Sequence, residues 1–223
     1  MTEIIVSKSP PVATVTLNRP EDLNRLTPDA MALLGRIIDD IAADDSIHAV
    51  VVTGAGNDVF SAGLLNPDIR AAMTKDAVIA FVLAANRVFD ALAALPQISI
   101  AAINGSIVAG AVELALACDI RIAADDATLT MPEAKWGGFP GAGGPHRLGM
   151  VVGHARALEM ICTGREVSAR EMDRYGLVQA IHPRGAVKDA ARTMAETIGA
   201  NGPLATRGAK RIRGSARAVG RTS

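Results

Sequence analysis

Apolar and polar positions alternate with period two over residues 4–6 and 12–17, the pattern of strands with one face in a core. Pro20 ends that extended run. From residue 27 the period changes. Ala30, Leu33, Leu34, Ile37, Ile38 and Ile41 recur at helical spacing, with Thr27 placed to cap the helix and Pro28 suited to its first position. Residues 49–53 and 98–103 are short apolar runs that read as fully buried strands. Between them Asn66-Pro67-Asp68 marks a helix start, and residues 76–95 carry a long helical pattern closed by Pro96. Strand and helix thus alternate through the first half, which predicts an α/β fold with right-handed crossovers. No fixed-period internal repeat is visible.

After Gly144 the pattern turns mainly helical, over 145–152, 154–162, 168–175 and 186–199, with a short strand expected at 177–181. Residues 1–200 are therefore read as one domain ending in a helical region. Residues 201–223 are read as a basic, flexible tail. From 207 to 223 it holds Arg207, Lys210, Arg211, Arg213, Arg217 and Arg221, no acidic residue and few large apolar ones. That composition predicts a disordered or frayed segment whose removal leaves the fold intact.

Hydrophobic residues make up 49% of the 223, enough for a sizeable core, but aromatics are only 3%, so aliphatic residues must build it. Lys plus Arg and Asp plus Glu are both 23, and this balance argues against a nucleic-acid partner. Cys118 and Cys162 have neither metal-ligand spacing nor need of a disulfide in a chain this size. The amino terminus lacks the pattern of a signal peptide, and no uninterrupted apolar stretch reaches the ~18 residues of a membrane span. A cytoplasmic protein with no membrane partner is expected.

The richest stretch for chemistry is 104–144. Asn104-Gly105 marks a turn after the strand at 98–103, and a helical pattern follows from Ala109. Glu113 is the only charged residue within 108–117. A carboxylate in such company is costly to bury unless it is paired or used. Glu133 lies 20 positions later, beyond a short strand expected at 118–122 and just after Pro132. If that strand returns the chain beside the helix start, both carboxylates face one cleft. Gly54-Ala55-Gly56, the loop 60–63 and the glycines at 141, 143 and 144 would let a ligand approach backbone closely.

Taken together, L-N-R-P-E (17–21) with Asn24, G-A-G (54–56), F-S-A-G (60–63), A-x-x-N-G (101–105), A-G-A-V-E (109–113), A-C-D-I-R-I-A (117–123), M-P-E (131–133) and P-G-A-G-G (140–144) resemble the crotonase family of enoyl-CoA hydratases and isomerases. T-G-R-E-V-S-A-R-E (163–171) and G-L-V (176–178) match it too, so the resemblance runs over roughly residues 3 to 200. It implies a superhelix of ββα units followed by helices that associate subunits, usually into a homotrimer or hexamer. It also implies binding of acyl-CoA and stabilisation of a thioester enolate. By motif position the oxyanion-hole amides fall on Leu64 and Gly110, the two catalytic carboxylates on Glu113 and Glu133, and the amide that helps hold the water on Gly141. Arg25, Ala62, Leu64, Leu65 and Gly110 fall on substrate- and CoA-binding positions. No metal or other cofactor is implied, since coenzyme A arrives as part of the substrate.

The expected activity is hydration of a 2-enoyl-CoA. A Δ3–Δ2 enoyl-CoA isomerase, which can manage with one carboxylate at the Glu133 place, and a non-catalytic acyl-CoA-binding or assembly subunit are the alternatives. Three features depart from the family pattern. Leu65 stands where Asp is frequent, Glu113 follows A-G-A-V rather than a glycine triplet, and the carboxy-terminal region is short. Trp136 and Phe139 read equally as acyl-pocket or core residues, Arg25 as a phosphate ligand or plain surface, and His146 as a helix-start residue or a phosphate contact. Ser61 lacks the G-x-S-x-G elbow of a nucleophile.

Overall fold

The computed structural model describes residues 2–219. The chain opens on an antiparallel hairpin of β1 (Ile4–Ser9) and β2 (Val12–Leu17), with Ile4 opposite Leu17. Helix α1 (Pro28–Ala42) follows, its first turn capped by the Thr27 hydroxyl, which accepts from the Ala30 amide at 3.0 Å. Its apolar stripe, including Leu34, Ile38 and Ile41, is buried.

A unit of two strands and a helix then occurs three times. β3 (Ala49–Gly54) and β4 (Val59–Ser61) lead to α2 (Pro67–Ala71) and α3 (Lys75–Ala94). β5 (Ile98–Ile103) and β6 (Ser106–Val108) lead to α4 (Gly110–Ala117). β7 (Ile120–Ala124) and β8 (Thr128–Thr130) lead through a 3-10 turn, Pro132–Trp136, to α5 (Gly144–Val152). The first strand of each unit joins one sheet and the second strand another. The units start at residues 49, 98 and 120, because α2 and α3 lengthen the first. That uneven spacing hides the repeat from the sequence.

The chain continues through α6 (His154–Thr163), β9 (Glu166–Ser168), α7 (Ala169–Arg174), β10 (Ala180–His182), α8 (Val187–Gly199) and α9 (Pro203–Val219). The larger sheet has the order β1-β2-β3-β5-β7-β10, parallel except for the opening hairpin. The smaller sheet is β4-β6-β8-β9, with only β8 and β9 antiparallel. β3 is buried along its whole length, as its apolar run requires. The strand expected at 177–181 begins later, because Leu177 and Val178 are buried in the turn that follows α7.

Helix α3 is long and apolar enough to cross a membrane by length and composition. Phe81, Ala85, Phe89 and Leu92 bury one stripe of it against the core, while Ile79 and Leu83 remain exposed.

The expectation of a disordered tail is corrected. Residues 203–219 form α9, and only 220–223 of the predicted tail lie outside the described residues. Arg207 pairs with Asp45 at 3.1 Å. The Lys210 ammonium pairs with Asp119 at 2.6 Å, both side chains under 10% exposed, and donates to the Gln97 carbonyl at 2.9 Å. Removing one member of a buried pair strands the other. Lys210→Met is therefore expected to cost about 3 kcal/mol, a fall in the thermal midpoint of roughly 6–12 °C for a chain of this size. Circular dichroism melts check this, and an unchanged midpoint would return α9 to the status of a loose tail.

Candidate active site

Two backbone turns meet at the head of the site. Residues 61–64 form the first. The Ser61 hydroxyl accepts from the Gly63 amide at 3.0 Å, the Ala62 amide donates to the Leu23 carbonyl at 2.9 Å, and the Gly63 carbonyl accepts from the Leu26 amide at 2.9 Å. The second is the entry to α4, where Ala109 has φ 54° and ψ −127°, an unusual conformation for an L residue. A Cβ on Gly110 would lie 2.6 Å from Leu64 Cγ, and one on Gly63 would lie 2.6 Å from the Val108 carbonyl oxygen and 2.8 Å from the Gly110 nitrogen. The turns therefore touch only because neither glycine has a side chain. Gly110 opens α4, so its amide has no acceptor within the helix.

The smaller sheet brings the carboxylates together. β8 pairs with β6, Ile107 beside Leu129 and Val108 beside Thr130, and the Ala109 amide donates to the Thr130 carbonyl at 2.9 Å. Residues 131–133 thereby return next to the start of α4. The strand expected at 118–122 is β7, in the larger sheet; β8 makes the return. Glu113 is 2% exposed, and its Oε1 accepts from the Ala142 and Gly144 amides, each at 2.8 Å. Burial pushes the Glu113 carboxyl up to about 7; the neighbouring Glu133 adds to that, while the two amides and Arg147 oppose it. Burial also raises Glu133, whose Oε2 is buried with no hydrogen-bond partner.

The loop that supplies the two amides is braced from behind. Arg147 donates to the Ala142 carbonyl at 2.9 Å and pairs with Asp90 of α3. Neither the amide donors nor the brace was among the residues foreseen from sequence. Backbone donors leave no side-chain signature, and an arginine on a helix looks like surface until the loop folds over it.

In front of Glu133 lies a cavity of about 790 Å³. Leu65, Val78, Val82, Trp136 and Phe139 give it apolar walls, Gly141 contributes backbone, and Arg70 and Lys75 are its two cations. Trp136 and Phe139 are thus cavity residues rather than core, Phe139 being 76% exposed. Ala62 is held in the first turn by its own amide and half-buried. Arg25 does not line the cavity. Its side chain is 11% exposed, with Nε 3.4 Å from Asp22 and Nη1 buried without an acceptor, so it is not plain surface. His146 is exposed near the start of α5 and also lies off the cavity. Among the described residues no group of three or more His, Cys, Asp or Glu side chains could hold a metal ion.

Two touching backbone turns, one buried and one half-buried carboxyl, and an apolar cavity suit acid–base chemistry on a substrate that develops an oxyanion. Comparison with known proteins points the same way. The family model for enoyl-CoA hydratase/isomerase matches residues 7–216. The YngF protein of Bacillus subtilis is 41% identical over 91% of this chain and 78% of its own. The short-chain-enoyl-CoA hydratase of Clostridium acetobutylicum is 35% identical over 93% of this chain and 79% of its own. Among solved structures, the enoyl-CoA hydratase of Bacillus anthracis superposes with a TM-score of 0.91 at 39% identity, over 94% of this chain and 81% of that one. The chain belongs to the enoyl-CoA hydratase/isomerase family.

Proposed function

We infer that the protein hydrates 2-enoyl-CoA thioesters, with Glu113 and Glu133 as its catalytic carboxyls. The observation that carries this reading is the pair itself: Glu113 buried, Glu133 half-buried at the cavity wall, both raised by burial, close to the two touching turns at Gly63 and Gly110. The proposed reaction needs one member of the pair ionised and the other protonated, and the upward shift of both carboxyls favours holding a proton there. The donors divide the roles. Two amides on Glu113 favour its anion, while the partnerless Oε2 of Glu133 favours the neutral acid.

Glu113 then takes a proton from water as the water oxygen bonds to the β-carbon. The π electrons move toward the thioester oxygen, where the Leu64 and Gly110 amides stabilise the enolate. Glu133 gives its proton to the α-carbon, the thioester carbonyl re-forms, and proton transfer from Glu113 restores Glu133. Gly141, at the cavity wall, is assigned to holding the water. Arg25, with its unused Nη1, is assigned to the CoA phosphates. As written, the reaction uses only protons and backbone dipoles, so no cofactor beyond the substrate's own CoA is called for. Loss of the conjugated enoyl thioester absorbance, with identification of a 3-hydroxyacyl-CoA product, tests the assignment. Double-bond migration without water uptake would make the protein an isomerase instead. Tight acyl-CoA binding with no turnover would make it a binding subunit.

We also propose a homotrimer or hexamer. Met150 on α5 and Leu158 on α6 are large apolar side chains left in solvent, Leu158 61% exposed. Subunit association would bury them. Sedimentation velocity across a concentration series is expected to show the assembly, and a compact monomer throughout would overturn it.

A further inference from the structure

We propose that Arg70, assisted by Lys75, recognises a carboxylate carried on the acyl chain, so that the preferred substrates are enoyl-CoA thioesters of dicarboxylic acids. This rests on the acyl-CoA reading of the cavity and names the class of acyl group it takes.

Arg70 lies on α2, the helix that begins three residues after the Leu64 turn and is capped by the Asn66 side chain on the Ile69 amide at 2.8 Å. Its Nη1 donates to the Trp136 carbonyl at 3.3 Å, and a Cβ on Gly138 would lie 3.3 Å from the same nitrogen. The guanidinium is therefore held between the wall that carries the oxyanion turn and the wall that carries Glu133. It has five N–H donors in a planar fork suited to a carboxylate. One donor is spent on Trp136, and among the described residues no carboxylate pairs with either Arg70 or Lys75.

The rest of the lining is apolar apart from Asn66 and Glu133. A purely aliphatic acyl chain would fill those walls and leave both cations, which are exposed at the cavity's edge, to solvent. A chain carrying a second carboxylate would fill the same walls and complete the guanidinium. Burial raises the Glu133 carboxyl, which lessens its repulsion of a nearby anion.

The anion could instead be a phosphate of CoA, and the experiment separates the two sources. Calorimetry would measure binding of saturated thioesters, which are not turned over: glutaryl-CoA against valeryl-CoA, and adipoyl-CoA against hexanoyl-CoA. Each pair is matched in chain length. The native chain is expected to bind the acidic member about tenfold more tightly at one length or both, the scale of one charge-assisted contact. The preference should shrink as salt rises. Arg70→Gln should erase it while leaving the neutral thioesters unchanged, and Arg70→Lys should keep part of it. No acidic preference at either length would overturn the proposal while leaving the hydratase reading intact. So would Arg70→Gln weakening acidic and neutral thioesters alike, which would assign Arg70 to the CoA phosphates. Failure of every thioester to bind would overturn the acyl-CoA reading and this proposal with it.

Discussion

Glu113→Gln and Glu133→Gln are each expected to lower hydration of a 2-enoyl-CoA by about 10²–10⁴-fold, the usual contribution of a positioned acid or base. Glutamine keeps the length and the hydrogen-bonding capacity, so the Ala142 and Gly144 amides retain an acceptor at position 113 and the loop stays in place. Thioester binding should change far less, because glutamine keeps the shape of the Glu133 wall and the rest of the lining and the two backbone turns are untouched. The double substitution should cost less than the product of the two, since groups acting on one reaction are not additive. Isomerase chemistry predicts another pattern, severe for Glu133→Gln and mild for Glu113→Gln. Full hydratase activity in either single variant would sink the two-carboxyl mechanism.

The same pair sets the pH dependence. Hydration needs one member ionised and the other protonated, so kcat/KM should rise and then fall as the pair loses its first and second protons. Stability should move with Glu113 in a definite direction. Its pKa is raised by burial from 4.5 to about 7, so between those values the native state binds more protons than the unfolded chain. Stability is therefore fully present below the unfolded value and falls as pH rises toward 7. The whole effect is about 3 kcal/mol. Glu113→Gln should remove that slope, giving a variant that is nearly inactive and more stable than the parent at pH 8. Denaturant titrations at pH 5 and 8 would show it, and equal slopes in parent and variant would contradict the burial of an ionising Glu113.

Much of this site could be read from the sequence, for uneven reasons. Glu113 stood out because its seven apolar or small neighbours on α4 give a carboxylate nothing to pair with. Its meeting with Glu133 could only be stated as a condition. The element that joins them, β8, is three residues long, too short to carry a period. The four strands of the smaller sheet share this property, which is why that sheet was invisible while β3 and β5 were plain. The donors on Glu113 are backbone groups whose position depends on Arg147 and Asp90 meeting across α3 and α5. The tail was misread for a different reason. Its charge suggested disorder, yet Ala, Arg and Lys favour helix, and Asp45 and Asp119, far away in sequence, supply the partners for Arg207 and Lys210.

Gly63→Ala tests the oxyanion turns without touching a carboxyl. Gly63 has φ +80°, a region that L side chains seldom adopt, and its added Cβ would meet the Val108 carbonyl oxygen at 2.6 Å and the Gly110 nitrogen at 2.8 Å. Both are backbone atoms and cannot rotate aside, so the two turns must separate. Separation displaces the Leu64 amide from the Gly110 amide, and loss of one such donor typically costs about 10²–10³ in kcat. The pH profile should keep its shape, because Glu113 and Glu133 are unchanged. Gly56→Ala is the control: its φ is +71°, nothing lies within 4 Å of the added Cβ, and only the backbone strain is reproduced. Comparable folding in both variants, with kcat collapsing for Gly63→Ala alone, is the expected result. A Gly63→Ala variant that folds and turns over at the parental rate would show that these two amides do not share the developing negative charge.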